Sequence, residues 1–540
     1  MSNLLKDASI LLTPTGYDNG SMNAIKPENG DGDFTFVRGS AATRVNAQGL
    51  VENVQIINGE LVINGDFATD TNWSKDANWT IANGKATSTG NGRMFQSIPF
   101  LEINIGVNVE VTFEIVELTQ GGVQVNCYGG LSQTFTTLGT HTFRTTTTNG
   151  SNLYFNNGGA GSNFIGSIDN CSVKQVTDDT NLPRINYEGF SYDGNGDIIP
   201  DSGCGSWLLE NQSTNLVPYS EDFSQWVGVN SVIVALTTET SAPNGLLSSV
   251  YKITSGNVSS RIQVSSITSA SNYTKSIFVK HSTNTTLRFD GSGSNNRVEF
   301  SITSSGVTLS SAASNVISTN IEDYGNGWFR ISATLPAASD FFQINPDVSG
   351  NDNGSVYIWG AQLEEQTHST SYIPTSGATN TRNQDIATNS GNATLINSTE
   401  GVLYAEVSAL ANYNSQRLVS LSDGTTSNTV KIGFLTSATN YTIVSEVRSE
   451  AVLSAYMTYS FGSISPIMTK IAIKYKENDF SLYVNGSEVA TSNIGSTSIG
   501  LSELSFDRGG GGQKFEGKAK ALAVYKEALT DAELQSLTTI

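Results

Sequence analysis

The sequence is poor in charged residues. Only 14% of its 540 residues are charged, well below the roughly 25% of an average soluble protein. Serine, threonine, asparagine and glycine must therefore supply the surface polarity, a pattern typical of extracellular or particle-surface β proteins. Carboxylates outnumber basic residues by 49 to 29, and no basic run occurs. This balance disfavours binding to nucleic acid or to anionic lipid, and it leaves carboxylates free to bind Ca²⁺.

Cysteine, histidine and long apolar runs are also scarce. The three cysteines are too few and too scattered for a disulfide framework. Cys127 and Cys171 fall in one module and could pair, but we expect two buried thiols. The three histidines lie far apart without metal-ligand spacing. No apolar stretch reaches the ~18 residues needed to span a bilayer, and the N-terminus lacks the features of a secretory signal. We therefore expect no membrane insertion and no export by a cleaved signal.

Two stretches of the chain begin alike. Leu61–Trp73 and Asn215–Trp226 each contain an apolar start, a turn, an Asp-Phe pair and a tryptophan; we call them the entrance motifs. Each opens a long segment rich in Thr, Ser and Asn, and similar strands, 166–173 and 356–364, close the two segments. A repeat that matches at both ends predicts two related β-sandwich modules. The Phe and Trp of each entrance motif are expected in the core.

The alternation of apolar and polar residues predicts an all-β chain. Val107–Ile115 alternates strictly, as a half-buried strand does. The only strong helix signal is the capping box of Thr530 and Glu533 near the C-terminus. A chain of this length exceeds one compact core, so we expect several domains. The predicted segments are an N-terminal base (1–60), a first module (61–176), a second part of the base (177–215), a second module (216–375), a polar linker (376–394) and a C-terminal β domain (395–540).

Several short stretches resemble segments of a family of tailed-phage virion proteins. They are Asp33–Asn46, Leu182–Tyr187, Leu208–Leu216, Trp359–Glu364 and Thr370–Thr375. In that family the second and third segments follow soon after the first, whereas here the first module separates them. The resemblance therefore implies that the module 61–176 is inserted into a base formed by 1–60 and 177–215. These stretches are markers of the family, but they do not indicate any catalytic or ligand-binding residue.

The resemblance also implies folds and partners. The two modules are similar to carbohydrate-binding jelly rolls, which implies tandem jelly-roll β-sandwiches. Residues 395–540, with Phe480–Gly486 and Leu529–Glu533, are similar to concanavalin A/laminin-G-like lectin domains. Such virion appendages, which include tail fibres, spikes and head fibres, are commonly trimeric. A homotrimer on the particle surface, in contact with other virion proteins and with host polysaccharide, is the implied setting.

A structural Ca²⁺ is the one cofactor that the sequence suggests. In carbohydrate-binding jelly rolls, an acidic residue near the entrance and an Asp on the closing strand commonly hold this ion. The first module offers Asp66 and Asp169 at these positions. The second module keeps Asp222 but has Trp359 where Asp169 aligns, so its site is expected to be lost. The alternative is that Asp66 and Asp169 only cap turns.

Sugar binding needs exposed aromatic rings beside amide or carboxylate groups, because pyranose C–H faces stack on rings. The candidates in the first module are Trp79, Tyr128 and Tyr154, with Asn156 beside the last. For each ring, packing in the core is the competing interpretation. Trp328 lies in an alternating strand and is expected to be a core residue.

The sequence favours adhesion over catalysis. A glycan hydrolase needs two carboxylates held at a defined separation, and no strand of 395–540 carries the Glu-x-Asp-x-x-Glu pattern of laminarinase-type jelly rolls. The leading interpretation is therefore a virion structural protein that binds host-surface glycans for adsorption. The alternatives are a purely structural decoration or connector protein of the virion and a polysaccharide depolymerase.

Overall fold

The computed structural model describes residues 3–130, 132–148, 152–157, 163–177, 180–192, 198–246, 249–269, 271–291, 293–348, 353–410, 415–436, 441–461 and 467–540. Strands hold 52% of the residues and helices 5%, which confirms the predicted all-β, multidomain class. The chain divides into two compact units. We call Gln55–Asp179 the inserted unit, and Met1–Val54 with Thr180–Ile540 the larger unit.

The N-terminal part of the larger unit consists of short strands after a 3₁₀ helix, Asn3–Asp7. These strands are β1 (Ile10–Leu12), β2 (Tyr17–Asp18), β3 (Ser21–Met22), β4 (Phe34–Val37), β5 (Thr43–Val45) and β6 (Val51–Asn53). Strand β4 follows the alternation of its sequence, because Phe34 and Phe36 are buried while Thr35 and Val37 are exposed.

The inserted unit is a two-sheet β-sandwich. Its strands are β7 (Ile56–Glu60), β8 (Ser74–Lys75), β9 (Trp79–Ala82), β10 (Lys85–Thr89), β11 (Arg93–Gln96), β12 (Asn108–Gln120), β13 (Val123–Cys127), β14 (Gln133–Phe135), β15 (Gly139–Thr146), β16 (Leu153–Asn157) and β17 (Ile165–Thr177), with one helical turn, α1 (Pro99–Ile103). One sheet has the order β15-β12-β17-β10-β9 with β7 on β17, and the other has the order β14-β13-β16-β11-β8.

The core of the inserted unit follows the period-two pattern. Val109, Val111, Phe113 and Ile115 of β12 are buried, while the residues between them are not, as the alternation predicts. Cys127 and Cys171 lie in this core as free thiols, which confirms their predicted state. Burial raises the pKa of Cys127 to about 12.

The chain then returns to the larger unit. The next strands are β18 (Ile185–Asn186), β19 (Phe190–Tyr192), β20 (Ile198–Pro200), β21 (Ser206–Leu209) and β22 (Ser213–Asn215). Trp207, Leu208 and Leu209 of β21 are buried in succession. Such a continuous apolar run is typical of a strand covered on both faces.

The second sandwich begins with a 3₁₀ turn, Phe223–Gln225. Its strands are β23 (Val227–Val229), β24 (Ile233–Thr237), β25 (Val250–Thr254), β26 (Arg261–Ser269), β27 (Tyr273–His281), β28 (Thr285–Gly291), β29 (Gly293–Thr303), β30 (Gly306–Ala312), β31 (Ser318–Asp323), β32 (Trp328–Leu335), β33 (Ala338–Asn345) and β34 (Ser355–Glu364). One sheet has the order β23-β26-β33-β28-β29-β30, and the other has the order β24-β25-β34-β27-β32-β31.

The C-terminal sandwich completes the larger unit. Two short strands precede it, β35 (Asn380–Arg382) and β36 (Ile386–Thr388). Its own strands are β37 (Glu400–Ala409), β38 (Ser415–Ser422), β39 (Thr429–Thr436), β40 (Tyr441–Ser449), β41 (Val452–Ser460), β42 (Thr469–Lys476), β43 (Phe480–Val484), β44 (Ser487–Ser492), β45 (Glu503–Ser505) and β46 (Gly517–Tyr525), followed by the helix α2 (Asp531–Thr538). Thr530 and Glu533 form the predicted capping box.

Three base strands, β1, β18 and β21, join the C-terminal sandwich. Its largest sheet has the order β18-β21-β46-β37-β42-β43-β44, and β1 pairs with β46. Strand β46 thus lies against strands that precede it by more than 300 residues in the chain. Buried residues from both parts of the base, far apart in sequence, belong to one core with the C-terminal sandwich.

The predicted polar linker, 376–394, is packed into the larger unit. Its strands β35 and β36 pair with β22 and β4, and Arg382 and Asp385 are buried. The segment predicted as a polar linker is thus a packed part of the larger unit. Its polar composition did not reveal this packing, because two of its charged side chains are buried in an ion network.

This network joins three arginines to two carboxylates without exposure to water. Arg184 donates from Nη1 to Glu210 Oε2 at 2.7 Å and from Nη2 to Asp385. Arg38 lies 3.3 Å from Asp385, and Arg382 lies 3.4 Å from Glu210. Burial alone would raise the pKa of Glu210, but Arg382 and Arg184 hold it well below its usual range. Arg38, Arg184 and Glu210 lie in the stretches that resemble the phage family. Because they are buried in this network, these residues stabilise the fold.

Candidate functional site

The entrance motif of the inserted unit forms part of its core. Phe67 and Trp73 are buried, with ring centroids 5.3 Å apart. Trp73 donates from Nε1 to the backbone oxygen of Asn64 at 3.0 Å. The prediction that these rings are core residues is confirmed, and the residues that face a ligand must be sought elsewhere in the unit.

Two of the predicted ligand-contacting rings are buried. Trp79 is 1% exposed, and its ring lies 5.9 Å from that of Phe164. Tyr128 is fully buried, and its hydroxyl donates to the backbone oxygen of Ile98 at 3.0 Å. Burial raises the pKa of Tyr128. The expectation that these two rings are exposed is wrong, because β9 turns Trp79 inward and the turn after β13 turns Tyr128 inward.

Tyr154 and Asn156, the other two predicted residues, lie on the outer face of the second sheet. Strand β16 is central in that sheet and pairs with β11 and β13. Its inward residues Leu153 and Phe155 are fully buried, so Tyr154 and Asn156 point to the opposite face. Both are partly exposed.

The strand register builds two parallel rows of side chains across this face. One row is aromatic at its centre, where Phe95 pairs with Tyr154. The other row is polar, and Arg93 pairs with Asn156, which pairs in turn with Gln124. Neighbouring strands lie about 4.8 Å apart, so each row brings side chains together from strands distant in sequence. We call these five residues the aromatic platform.

The two rings of the platform lie close together, and the guanidinium group of Arg93 lies over both. The ring centroids of Phe95 and Tyr154 are 5.4 Å apart at an interplanar angle of 40°. The guanidinium carbon of Arg93 lies 5.7 Å from the Phe95 centroid and 6.0 Å from the Tyr154 centroid. Asn152 donates to the Tyr154 hydroxyl at 2.8 Å. The arrangement joins an apolar, half-exposed surface to hydrogen-bonding groups on one rigid sheet.

A backbone hydrogen bond joins the two segments that carry the predicted calcium residues, Asp66 and Asp169. Gly65, next to Asp66, accepts a hydrogen bond from the backbone of Cys171 at 2.8 Å, two residues after Asp169. Each carboxylate has a local role: Asp66 accepts from Ala68 N at 3.3 Å, and Asp169 accepts from Asn170 N at 2.7 Å. Within the described residues, no group of three or more His, Cys, Asp or Glu side chains is arranged to hold a metal. The second oxygen of each carboxylate and nearby carbonyls are the ligands that Ca²⁺ would use.

The larger unit contains a separate cavity lined by four carboxylate residues, Glu188, Glu210, Glu322 and Asp323. The cavity has a volume of about 260 Å³, and its lining includes Glu188, Glu322, Tyr324, Arg330 and Lys518. Burial raises the pKa of Glu322, and Glu188 forms a close ion pair with Lys518. Tyr324 lies 3.5 Å from Glu322 through its hydroxyl. Burial thus raises the pKa of Glu322, whereas Glu188 has a cationic partner.

Sequence reasoning missed Arg93, Phe95 and Gln124 of the platform. The available signal was the alternation within Arg93–Gln96, where Met94 and Gln96 are buried and the other two are not. What the sequence does not contain is the pairing of β11 with β16, which brings Phe95 to Tyr154.

No known protein family and no curated protein matches the chain. Among solved structures, it is similar to the IT-sialidase CBM40 of Ruminococcus gnavus, with 18% identity, a TM-score of 0.22, and coverage of 28% of this chain and 92% of that one. It is also similar to a heptameric SAP-like pentraxin from Limulus polyphemus, with 16% identity, a TM-score of 0.19 and coverage of 25% and 68%. The N-terminal tandem CBM22 domain of Xyn10C from Paenibacillus barcinonensis matches with 10% identity, a TM-score of 0.18 and coverage of 60% and 99%.

Proposed function

We propose that this chain is a structural protein of a phage virion surface and that it binds host-cell polysaccharide through the aromatic platform of the inserted unit. The observation that carries the binding proposal is the paired rings of Phe95 and Tyr154 beside Arg93 and Asn156. They stand on the outer face of a sheet whose other face is buried core. The protein thus acts by adhesion.

The chemistry of the platform suits a sugar ring. The C–H face of a pyranose packs on aromatic rings, and its hydroxyl groups need hydrogen-bonding partners placed beside them. Tyr154 and Phe95 provide the rings, and Asn156 and Gln124 provide amides in the adjacent row. Arg93 adds donors for hydroxyl or carboxylate groups. A shallow surface of this kind binds weakly, and many copies on one particle raise the avidity.

The assignment to a virion rests on the resemblance of the base stretches to phage proteins. The structure is compatible with it in one respect: Arg38, Arg184 and Glu210 of those stretches form one buried network. Their spacing is therefore tied to the fold of the larger unit, although the inserted unit separates them in sequence. A homotrimer on the particle surface remains part of the proposal, and a cryo-EM map of the particle tests both.

A glycan array that includes the host surface polysaccharide tests the binding proposal. The intact chain should bind, and Tyr154→Ala should weaken binding by roughly 2–10-fold, since an aromatic contact is worth about 0.5–1.5 kcal/mol. Tyr456→Ala is the matched control, because Tyr456 is a 48% exposed tyrosine on β41 of the other unit. Loss of binding in the control alone would place the site elsewhere. Binding to no glycan would favour the purely structural role.

The cavity in the larger unit supports a second candidate function, polysaccharide cleavage. Hydrolysis of a glycosidic bond needs an acidic group with a raised pKa and a second carboxylate; burial raises the pKa of Glu322, and Glu322 lines this cavity together with Glu188. A reducing-end assay on host polysaccharide tests this candidate. Product release by the intact chain but not by Glu322→Gln would support cleavage, and no release by the intact chain would remove it.

A further inference from the structure

A second surface, on the other sandwich, has a different chemistry. Strands β26, β28, β29 and β33 of the second sandwich line a cleft of about 300 Å³. Arg261, Arg288 and Arg297 line it, and Asp290 is the one carboxylate among its lining residues. The protein as a whole carries a formal charge of −20, so a cleft with three arginines and one aspartate is a local reversal of sign.

The arginines converge because of the strand register. Arg288 pairs with Asn345 on one side and with Glu299 on the other. The adjacent residues along the first two strands, Phe289 and Ile344, pair with each other and are buried in the core. Alternation therefore places the polar residues of four neighbouring strands on one outer face.

One carboxylate is shared between two of the arginines. The Nε atoms of Arg288 and Arg297 lie 2.9 Å and 3.0 Å from Asp290 Oδ1. Arg261 donates only to neutral oxygens, those of Gln263 at 3.3 Å and of the Ser259 backbone at 3.4 Å, in the described part of the chain. Glu299 also lies 3.9 Å from Arg288, so three guanidinium groups face two carboxylates and the cationic groups remain in excess. Guanidinium forks are suited to planar carboxylates.

Two buried groups, one beneath the cleft and one in its lining, also favour a ligand that carries negative charge and hydroxyl groups. Lys275, which is fully buried, donates from Nζ to the backbone oxygen of Asp290 at 2.8 Å and adds positive charge. Asn345 lines the cleft and is 1% exposed, and its Oδ1 has no hydrogen-bond partner among the residues described. A buried amide oxygen without a donor costs free energy, and a ligand hydroxyl would satisfy it.

We infer that this cleft binds an acidic sugar, a ring that carries a carboxylate beside hydroxyl groups, such as a hexuronate. The carboxylate would be held by Arg261 and Arg297, and a hydroxyl would donate to Asn345. This site is separate from the aromatic platform, lies on a different sandwich and gives the second sandwich a ligand of its own.

The test uses the full chain and an oligogalacturonate, with a neutral galactan oligomer and dextran sulfate as comparison probes, in titration calorimetry. The acidic oligomer should bind, the neutral one should not, and binding should weaken as salt is raised. Arg261→Gln and Arg297→Gln should each weaken binding about tenfold or more, because hydrogen bonds to charged groups are strong. Thermal melts of the variants should match that of the intact chain, since the Arg297 side chain is 48% exposed.

Two control variants separate this inference from the proposed function. Arg144→Gln removes an exposed arginine that pairs with Glu110 on the inserted unit, and it should leave binding unchanged. Arg93→Gln alters the aromatic platform, so its effect reports on the proposed function. Binding of oligogalacturonate that depends on Arg93 but not on Arg261 would assign the oligomer to the platform and overturn the inference, as would no binding of oligogalacturonate. Equal binding of dextran sulfate would overturn the choice of a sugar carboxylate.

Discussion

The two sandwiches share one construction at their entrances and differ on their outer faces. In the inserted unit Trp73 lies 5.3 Å from Phe67 and donates to a backbone oxygen at 3.0 Å; in the second sandwich Trp226 lies 5.1 Å from Phe223 and donates to one at 2.9 Å. Both ring pairs have an interplanar angle of 44°. The repeated motif is therefore a core device, used twice in the same way.

The outer faces diverge because residues there do not have to satisfy the core. The inserted unit places the rings of Phe95 and Tyr154 on its face, whereas the second sandwich places Arg261, Arg288 and Arg297 on its own. Alternation along a strand fixes which residues face outward but not which residues they are. The same sandwich can therefore carry two recognition chemistries.

The closing strands differ for another reason. Trp359 stands where Asp169 aligns in the first module, and it is 1% exposed. It contacts Phe278 and Tyr372, with ring centroids 5.2 Å and 4.6 Å away, and shares a buried cluster with Val51 of the base. This end of the second sandwich is thus packed against the base. Trp328, a predicted core residue, lies in the same cluster at 2% exposure.

The largest expected effect comes from breaking both entrances. Trp73→Ala and Trp226→Ala should each destabilise their own sandwich by about 3–5 kcal/mol, since each removes a buried indole and leaves a cavity. Hydrogen exchange resolved by unit measures this in the intact chain. Substitution to Phe, which keeps a ring but loses the Nε1 hydrogen bond, is the control and should cost less. If one tryptophan tolerates Ala, the two entrances are not equivalent.

The next largest effect should be a difference between the two units in how much stability they lose in acid. Opposite charges hold the pKa of Glu210 well below its usual range despite burial. The stabilisation is complete above the unfolded pKa of about 4.3, and it is lost as pH falls from there towards the folded pKa. The ion pairs of the inserted unit that the structure describes all have side chains at least 19% exposed. We expect the larger unit to lose several degrees of melting temperature below about pH 4.3 and the inserted unit to lose less.

Glu210→Gln is the control for the acid prediction. It removes the titrating group, so the larger unit should be less stable at pH 7 and should depend less on pH below 5. Calorimetry across the pH series measures both changes. Equal acid sensitivity of the two units would contradict a special role for the buried network.

A smaller effect should distinguish the two entrance aspartates. Asp222 accepts from Ser224 N at 3.1 Å and from the Tyr251 hydroxyl at 2.8 Å, whereas Asp66 accepts from Ala68 N at 3.3 Å. Asp222→Ala should therefore cost about 1 kcal/mol, as for the loss of a helix cap, and Asp66→Ala should cost less. Chemical denaturation with unit-resolved hydrogen exchange compares them. A greater cost at Asp66 would reverse this order.

The smallest expected effect concerns calcium in the inserted unit. With a weak site of the kind found in extracellular modules, millimolar Ca²⁺ should stabilise this unit by about 0.5–1 kcal/mol. Thermal melts with Ca²⁺ or with chelator measure it, and Asp169→Asn should abolish the effect. The second sandwich should not respond. No response of the inserted unit would mean that Asp66 and Asp169 only cap turns.

Local pattern accounts for much of what could be predicted. The alternation along β12 and the capping box before α2 are both found as expected. The outward positions of Tyr154 and Asn156 follow from the same period. Trp79 and Tyr128 were misplaced because an aromatic ring satisfies a core and a ligand equally well in sequence. The direction in which the backbone points each ring decides between the core and the ligand. On a strand, a shift of one residue in the register reverses that direction.

By itself, the sequence determined the all-β class and the repeated entrances, whose Phe and Trp are buried in both sandwiches. The tertiary structure alone decided which strands are neighbours. Arg184 reaches Asp385 across 201 residues, and Phe95 meets Tyr154 only because β11 lies beside β16. The reason is physical: alternation and capping act within a few residues, whereas both candidate sites are made by the lateral pairing of distant strands. That pairing depends on the packing of the whole core.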